Sequence, residues 1–157
     1  MKNETGGGHE PAPKGESMIY SIGYSKWTVE QVVKVMEEKK IGLLIDLRSV
    51  PFGRFNPAFN RPNLQAVLKS RYVWKGDVLG GKYGPVKDEG IDYLLSWGFP
   101  TPPNIVIMCV EADPRNCHRL TDVSARLYLE HKIDVIHLIS DGTEHPTSYY
   151  LGNLGGL

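Results

Sequence analysis

The sequence predicts an α/β fold: a single domain built on a mostly parallel open sheet with helices on both faces. Compact apolar runs recur along the chain at residues 18–22, 43–45, 105–110 and 135–139. Stretches with helical spacing of apolar residues lie between them, and glycines and prolines punctuate the joints. Strands that alternate with helices in this way favour a parallel sheet, because each crossover helix returns the chain to the same end of the next strand. A chain of 157 residues is long enough to bury one core without disulfide support.

Residues 1–17 are polar and rich in Gly and Pro, without the apolar block of a secretory signal, so a disordered tail is expected there. The domain then runs over residues 18–157. Residues 18–22 read as the first strand, and Gly23 lets the backbone turn after it. Thr28 and Gln31 form a capping-box pair, and Val29, Val32, Val33 and Met36 continue at helical spacing to Lys39 and Lys40. Gly42 releases the chain into a buried parallel strand that ends at Asp46.

Three prolines within residues 50–63 predict an ordered loop without a regular element. A short helix over residues 64–69, a strand over 71–74, a glycine-rich loop at 80–85 and a helix over 88–97 follow, and Pro100, Pro102 and Pro103 close the section. Residues 105–110 make the best-defined strand. A helix to about His131 and a last strand at 135–139 complete the prediction.

Loops after parallel strands gather along one edge of the sheet, where ligands bind. The chemically distinctive residues fall in those loops. Ser25 follows the first strand, Asp46 and Arg48 the second, and Glu111, Cys117, His118 and Arg119 the best-defined one. Asp46 and Glu111 are candidates for general-base and charge-stabilising roles, with an ion pair to Arg48 or Arg119 as the structural alternative. His118 is a candidate acid or base, whereas His137, alternating within a strand, reads as structural.

Two starts are open for the helix after Cys109. With Asn116 as its cap, Cys117 meets free amide donors and becomes a reactive thiol; with Asp113 as cap and Pro114 first, Cys117 packs with Leu120 and Leu127 as a small core residue. Cys109 and Arg115 have the Cys-x5-Arg spacing of a phosphatase loop, but Glu111 and Asp113 would repel the phosphate. The spacing of Cys109, Cys117 and His118 matches no closed zinc pattern, so no metal is assigned, and no cofactor is expected.

Eighteen basic and eighteen acidic residues cancel overall. Residues 47–87 nevertheless hold eight basic residues against Asp77 alone, a local charge of +7. Phe52, Phe55, Phe59, Tyr72, Trp74 and Tyr83 are interleaved with them, a composition suited to nucleobases on a phosphate backbone. Arg54, Arg61 and Lys69 are the candidate nucleic-acid contacts. With too few cysteines for a secreted scaffold and no apolar run near the ~20 residues of a membrane span, a cytoplasmic protein without membrane association is expected.

The motifs Tyr20-Ser-Ile-Gly-Tyr-Ser25, Asp46-Leu-Arg-Ser-Val-Pro51, Asn56-Pro-Ala-Phe-Asn60, Leu79-Gly-Gly81 and Cys109-Val-Glu111 through Cys117-His-Arg119 occur in order. Together they resemble the bacterial and archaeal family called domain of unknown function 488, over roughly residues 18–139. A common family form has His where Tyr24 stands and Ala where Val110 stands, and the loop over residues 77–84 is shorter here. The resemblance implies the α/β fold and the pocket location but names no activity.

The expected function is therefore that of an α/β enzyme acting on an anionic small molecule, nucleotide or nucleic acid. Ser25, Arg48, Asn60 and Arg119 would bind substrate, and Asp46, Glu111, Cys117 and His118 would carry the reaction. The alternative is a noncatalytic nucleic-acid-binding module that uses the basic aromatic segment.

Overall fold

The first strand, β1 (Ile19–Gly23), lies inside the sheet rather than at its edge. In the computed structural model, which describes residues 18–97 and 104–153, six strands run in the order β3-β2-β4-β1-β5-β6. The others are β2 (Ile41–Asp46), β3 (Tyr72–Trp74), β4 (Asn104–Cys109), β5 (Ile136–Leu138) and β6 (Glu144–Pro146). All pairings are parallel except β5 with β6. The α/β architecture expected from the sequence is therefore present. The expected tail over residues 1–17 and the prolines at 100, 102 and 103 lie outside the described residues.

Right-handed crossovers explain which helix lies where. Helices α1 (Val29–Glu38) and α2 (Arg61–Leu68) follow steps toward β3, and cover one face through Val32, Met36, Leu64 and Leu68. The short α3 (Gly76–Leu79), α4 (Asp88–Leu95) and α5 (Ala125–His131) belong to the return steps, and cover the other face through Leu79, Leu94 and Leu127. Strand alternation divides the core accordingly. Ile45, Ile107 and Cys109 face α4 and α5, whereas Leu44, Val106 and Met108 face α1 and α2.

The α1 capping box forms as its sequence requires: Gln31 N–H donates to Thr28 Oγ1 at 3.1 Å, and Thr28 N–H to Gln31 Oε1 at 2.8 Å. Three expectations need correction. Helix α2 begins at Arg61, inside the expected loop, because Pro62 sits in its first turn, where a missing N–H is harmless. The helix after β4 begins with a separate turn, Pro114–Asn116, capped by Asp113, and resumes as a π-helical turn, Arg119–Ser124, ahead of α5. Beyond residues 135–139 the chain adds β6 and α6 (Thr147–Asn153), which short polar segments concealed. Among the described residues, no helix is long and apolar enough to cross a membrane.

Candidate functional site

A cleft of about 360 Å³ opens at the C-terminal edge of the sheet, on the face covered by α4 and α5. Arg48, Ser49 and Val50 after β2, Gly81 and Lys82 after α3, Cys109 at the end of β4, and Val110, Glu111, Asn116, Cys117 and His118 after it line the cleft. Four residues expected at the site thus meet here: Arg48, Glu111, Cys117 and His118.

Neither sequence alternative describes the cap of the long helix. Cys117 itself has extended backbone (φ −139°, ψ 142°), and its carbonyl accepts the first helical bond from Thr121 N–H at 3.1 Å. Its sulfur accepts from Arg119 N–H at 3.5 Å, so the side chain caps a free amide as an N-cap residue does. Cys117 is also nearly buried and is disulfide-bonded to Cys109. Cys117 is therefore packed in the core, as one reading expected, and its sulfur is tied to Cys109 rather than being the free thiol of the other.

His118 stands beside this pair, its Nδ1 3.9 Å from the Cys117 sulfur. Its Nε2 lies 2.9 Å from the Leu79 carbonyl. A carbonyl only accepts, so Nε2 carries the proton and Nδ1 presents a lone pair toward the cysteines. Burial lowers the imidazole pKa, partly opposed by the Leu79 bond, which favours this neutral form. A Cβ at Gly81 would come within 2.6 Å of the His118 ring, so glycine there admits the imidazole.

Arg119 lies behind the cleft and is fully buried. Its Nη1 donates to the Glu111 carbonyl at 2.7 Å and to the Cys109 sulfur at 3.7 Å, and its Nη2 to the Ala112 carbonyl at 3.4 Å. Gly23 allows this close approach, since a Cβ there would collide with the Glu111 carbonyl. Its Nε donates to Ser21 Oγ at 3.1 Å. That hydroxyl bonds His137 Nδ1, and His137 Nε2 lies 2.9 Å from Thr147 Oγ1, which donates to the Val135 carbonyl. The directions follow from the two ends of the chain: the Thr147 hydroxyl accepts from Nε2–H, so Nδ1 accepts from Ser21. Desolvation lowers the Arg119 pKa to about 10 and that of His137 to about 3. Arg119 therefore shapes the cleft wall rather than reaching into it.

Asp46 leaves the same sheet edge but on the opposite face, beside Met108, because residues alternate along β2. Its buried carboxylate accepts Arg48 N–H and Nε at 3.1 and 2.9 Å on one oxygen, and Arg48 Nη2 and Tyr72 Oη at 2.8 and 2.5 Å on the other. Four donors occupy the lone pairs a general base would need. Tyr72 is correspondingly raised above the ordinary phenol range by burial and by this bond. The Arg48 guanidinium also donates to the Phe59 carbonyl and to Tyr24 Oη, so this residue forms wall and has few donors left for a ligand.

The other expected residues stand apart from the cleft. Ser25 is exposed and its N–H donates to the Val110 carbonyl, while Asn60 Oδ1 accepts from Gly53 N–H at 2.8 Å. Arg54 stacks over Phe55 and Arg61 over Trp74, with guanidinium-to-ring distances of 5.5 and 4.9 Å. The Lys69 ammonium bonds the Ala66 carbonyl. Lys82 and Asn116, which also line the cleft, were not among the expected site residues; the Leu79-Gly-Gly81 motif was the available signal for the Lys82 part of the wall.

Residues 28–90 match the family model described as Domain of unknown function DUF488. The DUF488 stretch contains the motifs that begin at Asp46, Asn56 and Leu79, and so supplies one wall of the cleft. The motifs that begin at Tyr20 and Cys109 lie outside it. The Tyr24 phenol ring, just before this stretch, stacks on Phe59 with centroids 4.4 Å apart and its hydroxyl meets Arg48. Neither curated proteins nor solved structures gave a match.

A second cleft of similar volume lies between α1 and the turn before β6, lined by Trp27, Lys34, Lys39, Ser140 and Glu144 among others. Its Lys39 and Glu144 pair with each other, and it holds no thiol or imidazole. The cysteine-lined cleft therefore has the richer chemistry.

Proposed function

We propose that the protein is a hydrolytic enzyme acting on an anionic substrate of the nucleotide or nucleic-acid class in the cleft at the C-terminal edge of the sheet. The observation that carries this reading is the meeting of Glu111, His118 and both cysteines in one cleft that Lys82 and Ser49 also line. Lys82 and the Ser49 hydroxyl receive the anionic group. Glu111, exposed at the rim, takes a proton from the attacking water, and the cysteine-His118 corner faces the opposite side of the scissile bond. Asp46 and Arg48 hold the wall in place.

The test is incubation of the reduced protein with mononucleotides, dinucleotides and short oligonucleotides, with products followed by mass spectrometry. Hydrolysis of one class, lost in a folded Glu111→Gln variant, supports the reading. Hydrolysis that survives that substitution, or no turnover across the panel, contradicts it.

A second reading, a nucleic-acid-binding surface, is supported by Phe52 and Phe55, which are 56 % and 92 % exposed, with Arg54 over the Phe55 ring. Exposed aromatic rings next to cations suit single-stranded bases. Binding without turnover, weakened by salt, would favour this reading.

A further inference from the structure

We propose that Cys109, Cys117 and His118, once the cysteines are reduced, form a zinc site with three protein ligands and a fourth position open to the cleft. Its catalytic meaning, as the electrophile opposite Glu111, rests on the hydrolytic reading above; zinc binding itself is measured separately.

The ligand atoms of these three residues all lie within 4.8 Å of one another. Tetrahedral zinc, with bonds of about 2.0–2.3 Å, sets its ligand atoms roughly 3.3–3.8 Å apart, so small side-chain movements suffice. The backbone separation suits a metal between the sulfurs: the cysteine Cα atoms are 7.7 Å apart, whereas disulfides usually hold them about 4.4–6.8 Å apart.

The surroundings also fit. The Leu79 carbonyl fixes the His118 proton on Nε2 and leaves Nδ1 as the ligand atom, the orienting arrangement commonly found behind metal-bound histidines. Each sulfur already accepts an N–H bond, Cys117 from the Arg119 backbone and Cys109 from the Arg119 guanidinium, and such bonds stabilise thiolates. Two thiolates and a neutral imidazole balance a divalent cation and, being soft or borderline ligands, select zinc over magnesium or calcium. Three protein ligands with a solvent-facing fourth position are the pattern of a catalytic rather than a structural zinc.

The chemistry balances with a phosphine as reductant. It donates two electrons to the disulfide and becomes the phosphine oxide, with water supplying the oxygen and the two thiol protons. Zinc then displaces one proton from each thiol to solvent.

The test uses the full chain reduced with a phosphine. Titration with Zn²⁺ against a chromophoric chelator should give one equivalent bound, with affinity falling by more than about tenfold in Cys109→Ser, Cys117→Ser and His118→Ala. Co²⁺ in place of zinc should show a thiolate charge-transfer band. Should the variants lose their fold, protection of both wild-type cysteines from alkylation by Zn²⁺ decides the matter. Absence of a stoichiometric site, a cobalt spectrum without the thiolate band, or cysteines alkylated equally with and without zinc overturns the proposal. Turnover by metal-free protein overturns the catalytic zinc alone, whereas zinc bound without turnover leaves the site standing and removes the enzyme reading.

Discussion

Arg48 closes on Asp46 through two side-chain hydrogen bonds of 2.9 and 2.8 Å, with both side chains almost entirely withdrawn from water. A pair two residues apart at the end of β2 thereby fixes the first turn of the cleft wall. Tyr72 from the neighbouring strand completes the carboxylate shell, tying β3 to the same point.

Breaking that pair leaves an uncompensated buried charge. Asp46→Ala and Arg48→Ala should each lower unfolding free energy by about 3–5 kcal/mol, read by chemical denaturation. Tyr72→Phe removes one donor to a charged group and should cost roughly 1.5–3 kcal/mol. Wild-type stability in either alanine variant would show that the pair does not hold the wall.

His137 predicts a pH dependence. Its folded pKa of about 3 lies below the ordinary 6.5, so the unfolded chain binds a proton that the folded protein refuses between those values. The corresponding stability is present above pH 6.5 and is lost as the pH falls toward 3, with a slope of up to ~1.4 kcal/mol per pH unit. Denaturation of the wild type and of His137→Gln across this range should show a shallower slope in the variant. Parallel slopes would contradict the buried neutral imidazole.

Gly81 predicts a local effect. Gly81→Ala drives a methyl into the His118 ring from an exposed loop, so the imidazole must move while the core does not. Zinc affinity and any turnover should fall at least about tenfold, with unfolding free energy changed by less than ~1 kcal/mol. A large stability loss with the site intact would reverse this assignment.

The basic aromatic loop predicts a salt signature. If single-stranded nucleic acid lies over residues 52–61, Arg54→Ala should reduce the slope of log affinity against log salt by about 0.7, one phosphate contact. Filter binding across salt concentrations measures it, and an unchanged slope would remove Arg54 from the contact surface.

The sheet was legible because Ile45, Ile107 and their neighbours form continuous apolar runs, which parallel strands covered on both faces require. The edge that carries the site followed from the same reasoning. What the sequence hid was direction. Asp46 and Cys109 both end strands, but residue parity sends one to each face of the sheet, and parity depends on a register that one chain of letters does not display. Arg119 gave no sign of burial because carbonyls, Ser21 and sulfur satisfy its guanidinium, and these partners depend on how distant turns meet. Strand β6 was missed for another reason: Glu144, His145 and Pro146 have no apolar period.

In the proposed enzyme the reacting groups meet in the cleft at the C-terminal ends of β2 and β4. Crystallography of the reduced protein soaked with nucleotides tests it most directly. Ligand density is expected between Lys82, Ser49 and Glu111, within reach of Cys117 and His118. Density in the cleft beside Trp27 and Lys39, with the cysteine-lined cleft empty, would contradict it.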